Sequence, residues 1–294
     1  MKVRRRTFLK LGAVAAGSAT VAAVKPALAS KGPELPADAR GMLYDTTRCI
    51  GCKACVVACR EANNLEPDTH LDGIHDAPIA LDGGTKNIIK LYKEPPYRSF
   101  MKQQCMHCVD PACVSACMIG AFQKREYGAI TWDGDLCIGC RYCQIACPFE
   151  IPKYEWFEAN PKIVKCELCK DRPGDKKFVP ACCEVCPREA VIWGTRDELL
   201  EEAKSRIRDN PGRYFEDRIY GETEGGGTQV LYLSHVPFGK LGLPDLDDQP
   251  IGALPRDLQH GIYKGFIAPT VLYAALGVTM LRNRGKQGEE DDHE

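Results

Sequence analysis

Apolar and polar positions along this chain keep a regular period only in short bursts. "NIIKLY" (Asn87 to Tyr92) reads as a strand that follows a loop. "GAFQK" and "AITW" flank Tyr127-Gly128 and read as a β-hairpin, and "AVIWG" at Ala190 to Gly194 repeats the first of these strands. One segment has a helical period: Leu199, Leu200, Ala203 and Ile207 share a face of "RDELLEEAKSRIRDN". Thr195 caps that helix, acids fill its first turn, and Asn210-Pro211 stops it. "GETEGGGTQVLYLSHVPFGKLGLPDLDD" (Gly221 to Asp248) then reads as an extended arm. Its three glycines predict a turn, since no Gly-Lys-Ser/Thr follows to make a phosphate loop.

The longest apolar run lies near the C-terminus, where Gly265 to Leu281 holds 17 residues without a charge. With Ile262, Tyr263 and a snorkelling Lys264 it reaches 20, the length of one bilayer crossing. This predicts a transmembrane helix over 262–283. Arg282, Arg284 and Lys286 just beyond it place the acidic tail 284–294 in the cytoplasm. At the other end, Arg5-Arg6 precede Phe8-Leu9-Lys10, a Gly/Ala-rich run and "ALA" at Ala27 to Ala29. That pattern predicts a twin-arginine signal peptide over 1–29 and a linker over 30–40.

Composition sharpens the picture at one residue type. The net charge of −1 and pI near 6.6 give no basic face for a nucleic-acid partner. Cysteine occurs 17 times, an odd count in Cys-x-x-Cys units that is unlike a disulfide framework. Sixteen fall into four groups: Cys49, Cys52, Cys55 and Cys59; Cys105, Cys108, Cys113 and Cys117; Cys137, Cys140, Cys143 and Cys147; Cys166, Cys169, Cys182 and Cys186. Groups one and three share C-x2-C-x2-C-x3-C and begin "CIGC". Groups two and four share C-x2-C, a spacer and "PAC". The order A-B-A-B is an internal duplication. Aligning "PACVSAC" with "PACCEVC" sets Cys182 on Cys113, Cys186 on Cys117 and Cys183 on Val114, so Cys183 is the spectator.

The spacing has a physical reading. C-x2-C-x2-C turns three thiolates inward from one tight loop, enough to cap three irons of a cubane, and the next cysteine serves a second cluster. Pro148 and Pro187 follow the last cysteines of groups three and four, where groups one and two have Arg60 and Met118. Zinc favours two Cys-x-x-Cys pairs across a longer loop, which only group four resembles. Sixteen ligands at four per cubane give four 4Fe–4S clusters. His107, inside a cluster loop, is either a tuning hydrogen-bond donor or a structural loop residue.

The whole chain resembles the HybA-type iron–sulfur subunit of membrane-bound uptake nickel–iron hydrogenases of the hydrogenase-2 kind. Besides the cysteine groups, "GMLYDTTRCIGC", "YGETEGGGTQVLYLSHVP" and "LQHGIYKG" carry the likeness. It implies an α+β fold of nested bacterial two-cluster ferredoxin units over 41–194, with an inner unit at about 102–156 and a C-terminal helix and arm over 195–261. It also implies a nested pairing: Cys49, Cys52, Cys55 and Cys186; Cys59, Cys166, Cys169 and Cys182; Cys105, Cys108, Cys113 and Cys147; Cys117, Cys137, Cys140 and Cys143. Spacing alone leaves other pairings open. The implied role is a non-catalytic conduit between the small and large subunits of a periplasmic hydrogenase and an integral-membrane, quinone-reactive subunit. The β subunit of a formate dehydrogenase or molybdopterin reductase is the alternative within this class. A zinc-stabilised docking scaffold is the remote one.

Overall fold

The structure, a computed structural model, describes residues 35–67, 80–156, 158, 161–172 and 179–290. The expected signal peptide, residues 30–34 of the linker and the last four residues lie outside them. Gly32–Glu294 forms one compact unit. Its elements are β1 (Arg40–Asp45), α1 (Ala54–Ala62), β2 (Asn87–Glu94), β3 (Tyr97–Gln104), α2 (Ala112–Ser115), β4 (Phe122–Lys124), β5 (Ile130–Trp132) and α3 (Tyr142–Ala146). There follow β6 (Lys153–Tyr154), β7 (Ile163–Val164), α4 (Ala181–Glu184), β8 (Val191–Thr195), α5 (Arg196–Asp209), β9 (Val230–Leu233) and α6 (Ala253–Glu290).

A three-stranded sheet in the order β8-β1-β9 closes the unit, β1 running antiparallel to β8 and parallel to β9. Its side chains alternate between two layers, as the two-residue period of a strand requires. Leu43, Leu231 and Leu233 pack under Leu199, Leu200 and Ala203 of α5. Met42, Tyr44, Val230 and Tyr232 face the cysteine-bearing layer. Burying each such side chain contributes about 1.5–3 kcal/mol. α5 begins as expected: Thr195 Oγ1 accepts from the Glu198 N–H and the Glu198 carboxylate accepts from the Thr195 N–H. Its buried face also carries Arg206, which donates to the fully buried Asp45 carboxylate at 3.3 Å.

Within the expected arm, Val230–Leu233 is a fully buried strand of the central sheet. Gln229 anchors the approach, donating from Nε2 to the carbonyls of Tyr127 at 2.7 Å and Arg40. The three glycines do make the turn, with φ of 64°, 82° and 89° at Gly225, Gly226 and Gly227. A run of apolar residues such as "VLYL" suits both a strand and a loop with exposed anchors, and burial against β1 decides the matter.

The transmembrane expectation is corrected. Among the described residues no helix is long and apolar enough to cross a membrane. Length is not the shortfall, since α6 runs for 38 residues through the expected end of the span at 283 and on to Glu290. The charge-free stretch stops at 17 residues, below the roughly 20 a bilayer core needs. It also contains Pro269, and the hydroxyls of Thr270 and Thr279 donate back to the Phe266 and Ala275 carbonyls at 2.7 and 2.8 Å. Its apolar side chains, including Phe266, Val271 and Met280, are exposed. Near its start α6 packs on α2, where Arg256 Nη1 donates to both Asp110 carboxylate oxygens at 2.8 Å.

Candidate iron–sulfur sites

The duplication seen in the cysteine spacing recurs in the backbone. In both "CIGC" loops the glycine is left-handed, with φ of 72° at Gly51 and Gly139. The basic residue after the second cysteine is left-handed as well, Lys53 at 59° and Arg141 at 63°, and each opens a short helix, α1 or α3. A Cβ at Gly51 would also strike the Phe100 ring at 2.3 Å, so only glycine fits there. In the B-type groups, His107 and Leu168 occupy the same left-handed place before the second cysteine. Pro111 and Pro180 then start the one-turn helices α2 and α4.

These tight loops aim N–H groups at sulfur. Gly51 N donates to Cys49 Sγ at 3.4 Å. Ala121 N and Ala190 N, at equivalent places in the duplication, donate to Cys117 Sγ at 3.2 Å and Cys186 Sγ at 3.3 Å. Asn63 Nδ2 reaches Cys59 Sγ at 3.6 Å, and the Tyr154 hydroxyl lies 3.6 Å from Cys143 Sγ. Such donors favour thiolate sulfur.

Packing brings distant groups together in a nested way. α1 of group one packs against α4 of group four, and α2 of group two against α3 of group three. Cys49, Cys52, Cys55 and Cys186 line one cavity together with Tyr44 and Ile89. Burial pushes the Cys59 thiol up to about 11, with Cys182 and Cys169 adding repulsion. Burial also raises Cys166, beside Cys59, Cys182, Cys105 and Cys169. Cys108 is raised by burial and then by Cys147, Cys105 and Cys113, and Cys143 by burial with Cys140, Cys117 and Cys137 as neighbours. Burial pushes Cys55 up to about 12 and Cys147 to about 11. These neighbourhoods bring Cys49, Cys52, Cys55 and Cys186 to one cavity and set cysteines of each remaining group beside those of another. Cys166 of group four also lies beside Cys105 of group two.

The donor set fits 4Fe–4S clusters. All 17 cysteines are free thiols rather than disulfides. Buried thiols with raised pKa values stay protonated alone and ionise when cationic iron replaces the proton. Among the described residues no group of three or more His, Cys, Asp or Glu is arranged to hold a metal ion. His107 adds a second sign. Its Nδ1 accepts from the Ile130 N–H at 3.0 Å, which assigns the proton to Nε2, and Nε2 is buried without a hydrogen-bond partner. Burial holds this imidazole neutral, with Lys165 and Lys124 pushing the same way. An orphaned donor beside Cys108 suits a cluster sulfur.

Sequence reasoning missed the polar groups woven between the cysteines. The Tyr44 hydroxyl donates to the Phe100 carbonyl at 2.8 Å, and Tyr44 lines one cavity with Cys49. Lys102 and Lys165 are buried lysines, the first on β3 and the second directly before Cys166. Their one sequence signal is a lysine within three residues of a cysteine that opens a B-type group.

Comparison with known proteins agrees with this geometry. Residues 97–196 match the family model of a 4Fe-4S dicluster domain. "Hydrogenase-2 operon protein HybA" of Escherichia coli O157:H7 is 39% identical over 99% of this chain and the whole of that protein. The iron–sulfur subunit of the nitrate-inducible formate dehydrogenase of Escherichia coli K12 is 36% identical over 76% of this chain and 71% of its own. The B component of the anaerobic dimethyl sulfoxide reductase of the same strain is 37% identical over 55% of this chain and 76% of its own. Fold and cysteine layout define a ferredoxin-type 4Fe–4S protein of the kind that serves oxidoreductase complexes. Within that class the chain belongs to the HybA family.

Proposed function

We propose that this protein is the electron-transfer subunit of a membrane-associated nickel–iron hydrogenase. In this reading it receives electrons from the small and large hydrogenase subunits and hands them to an integral-membrane, quinone-reactive partner. The observation that carries the reading is 39% identity to HybA from end to end, in a chain whose sixteen motif cysteines are free thiols. In nested quartets these hold four 4Fe–4S clusters, and each cluster accepts or releases one electron. The chain's own residues supply the rest: cysteine loops hold the sulfurs, backbone N–H groups steady them, and the sheet layer of Met42, Tyr44 and Tyr232 shields one side. The formate dehydrogenase relative matches less of this chain, which favours the hydrogenase partner.

The twin-arginine pattern at Arg5-Arg6 supports delivery to the periplasmic side of the inner membrane after the clusters are loaded. Measuring metal and labile sulfide in the purified protein tests the reading. About 16 irons and 16 sulfides per chain are expected, whereas zinc as the main metal overturns it. Recovery of the tagged protein with a molybdopterin subunit instead of a nickel–iron subunit would assign it to the formate dehydrogenase branch.

A further inference from the structure

The last cysteine of three groups accepts a hydrogen bond from the residue four places further on. In groups two and four the donor is backbone: Ala121 N to Cys117 Sγ at 3.2 Å and Ala190 N to Cys186 Sγ at 3.3 Å. The helices α2 and α4 end before those cysteines, so the later N–H groups are free to turn towards sulfur. Group one is built differently. Arg60 stands where groups three and four have proline, and α1 runs on past Cys59 to Ala62. The N–H of Asn63, four places after Cys59, is bonded to the Arg60 carbonyl at 3.2 Å. Here the side chain takes the part of the backbone, with Asn63 Nδ2 at 3.6 Å from Cys59 Sγ.

The orientation of that amide is fixed from outside. Lys86 Nζ donates to Asn63 Oδ1 at 2.9 Å, and an ammonium has no acceptor, so the amide nitrogen must face Cys59. Lys86 is itself braced by the Glu167 carboxylate at 3.8 Å, and Glu167 accepts from the Trp132 N–H at 2.9 Å. The Lys86 and Glu167 side chains are only 17% and 18% exposed. Capping the end of α1 explains one bond, from Asn63 Nδ2 to the Cys59 carbonyl at 2.7 Å. It does not call for a second acceptor on sulfur or for a braced lysine behind the amide. At the matching place of group three stands Ile151, buried and without a side-chain donor.

We propose that the Asn63 amide, positioned by Lys86, raises the reduction potential of the cluster that the Cys59 sulfur joins. This rests on the cluster assignment above. A cubane gains one electron and no proton on reduction, so negative charge grows on its sulfurs. A donor held on one of them stabilises the reduced state more than the oxidised one. Asn63 acts on the sulfur directly, and Lys86 acts through Asn63.

The experiment is a dithionite titration of the intact protein followed by electron paramagnetic resonance, with Asn63→Leu, Asn63→Asp and Lys86→Met beside the unmodified chain. Iron and sulfide are assayed in each. With full iron, Asn63→Leu is expected to lower the reduced-to-oxidised ratio of one cluster about threefold at fixed potential, about 28 mV at about 59 mV per tenfold for a one-electron couple. The other three clusters are expected to keep their potentials. Lys86→Met is expected to shift the same cluster in the same direction, and unchanged potentials there overturn the part given to Lys86. Unchanged potentials in an iron-replete Asn63→Leu protein overturn the proposal, as does an equal shift of all four clusters. If Asn63→Leu loses iron, Asn63→Asp decides, since it keeps the shape and the contact with Lys86 but has no donor. Full iron with one lowered potential then supports the proposal. Full iron with unchanged potentials overturns it, and equal iron loss overturns it in favour of a purely structural cap. An unmodified protein short of iron overturns the cluster assignment, and this proposal with it.

Discussion

Cys183 adjoins Cys182 in α4 and packs, half-buried, against the core cluster that buries Cys182. The odd cysteine of the chain is therefore a filler of space beside Cys182. Cys183→Val is expected to retain all the iron, because Val114 stands at the equivalent place in the duplication. Cys182→Ser is expected to lose about four irons. Equal iron loss in both variants would show that the alignment of Cys183 with Val114 is out of register.

The paired bonds from Arg256 to Asp110 tie α6 to the loop that carries group two. Asp110 is 3% exposed and Arg256 16%, so Arg256→Met leaves a carboxylate buried without its partner. Removing one member of such a pair costs about 3 kcal/mol, roughly a hundredfold in local opening. Hydrogen exchange across 253–262 is expected to accelerate by that order while exchange in the central sheet stays unchanged.

The capping box of α5 makes a smaller, pH-dependent contribution. Thr195→Ala is expected to destabilise the fold by about 1 kcal/mol, read as a lower thermal midpoint. Bonds from the Thr195 backbone and side chain hold the Glu198 carboxyl below its ordinary range. A depressed folded-state pKa stabilises above the unfolded value and loses that effect as pH falls through the folded one. The difference between Glu198→Gln and the unmodified protein should therefore shrink below about pH 4, starting from the ordinary glutamate range.

Export supplies a prediction of another kind. Replacing Arg5 and Arg6 together by lysine is expected to leave a folded, iron-loaded precursor in the cytoplasm, detected by fractionation and by its visible absorbance. Normal delivery of that variant to the periplasmic face would indicate a different route.

Features set by neighbours along the chain were legible in the sequence. The four cysteine groups, their A-B-A-B order, the hairpin at Tyr127-Gly128 and the helix after Thr195 all depend on spacings of a few residues. A tight loop or a capped turn forms from local geometry, so its pattern is written locally.

Tertiary structure decided whatever depends on burial between distant segments. β9 lies parallel to β1 although most of the chain separates the two strands, and nothing in "VLYL" names that partner. The nesting of α1 on α4 and α2 on α3 arises because each short helix covers too little apolar surface alone. Arg206 reads as a surface charge until Asp45 is brought beside it. The run from Gly265 to Leu281 is apolar in composition, yet composition does not measure whether a helix is long and apolar enough to span a bilayer. Local spacing specifies local geometry, and only the folded chain assigns each buried charge its counter-charge.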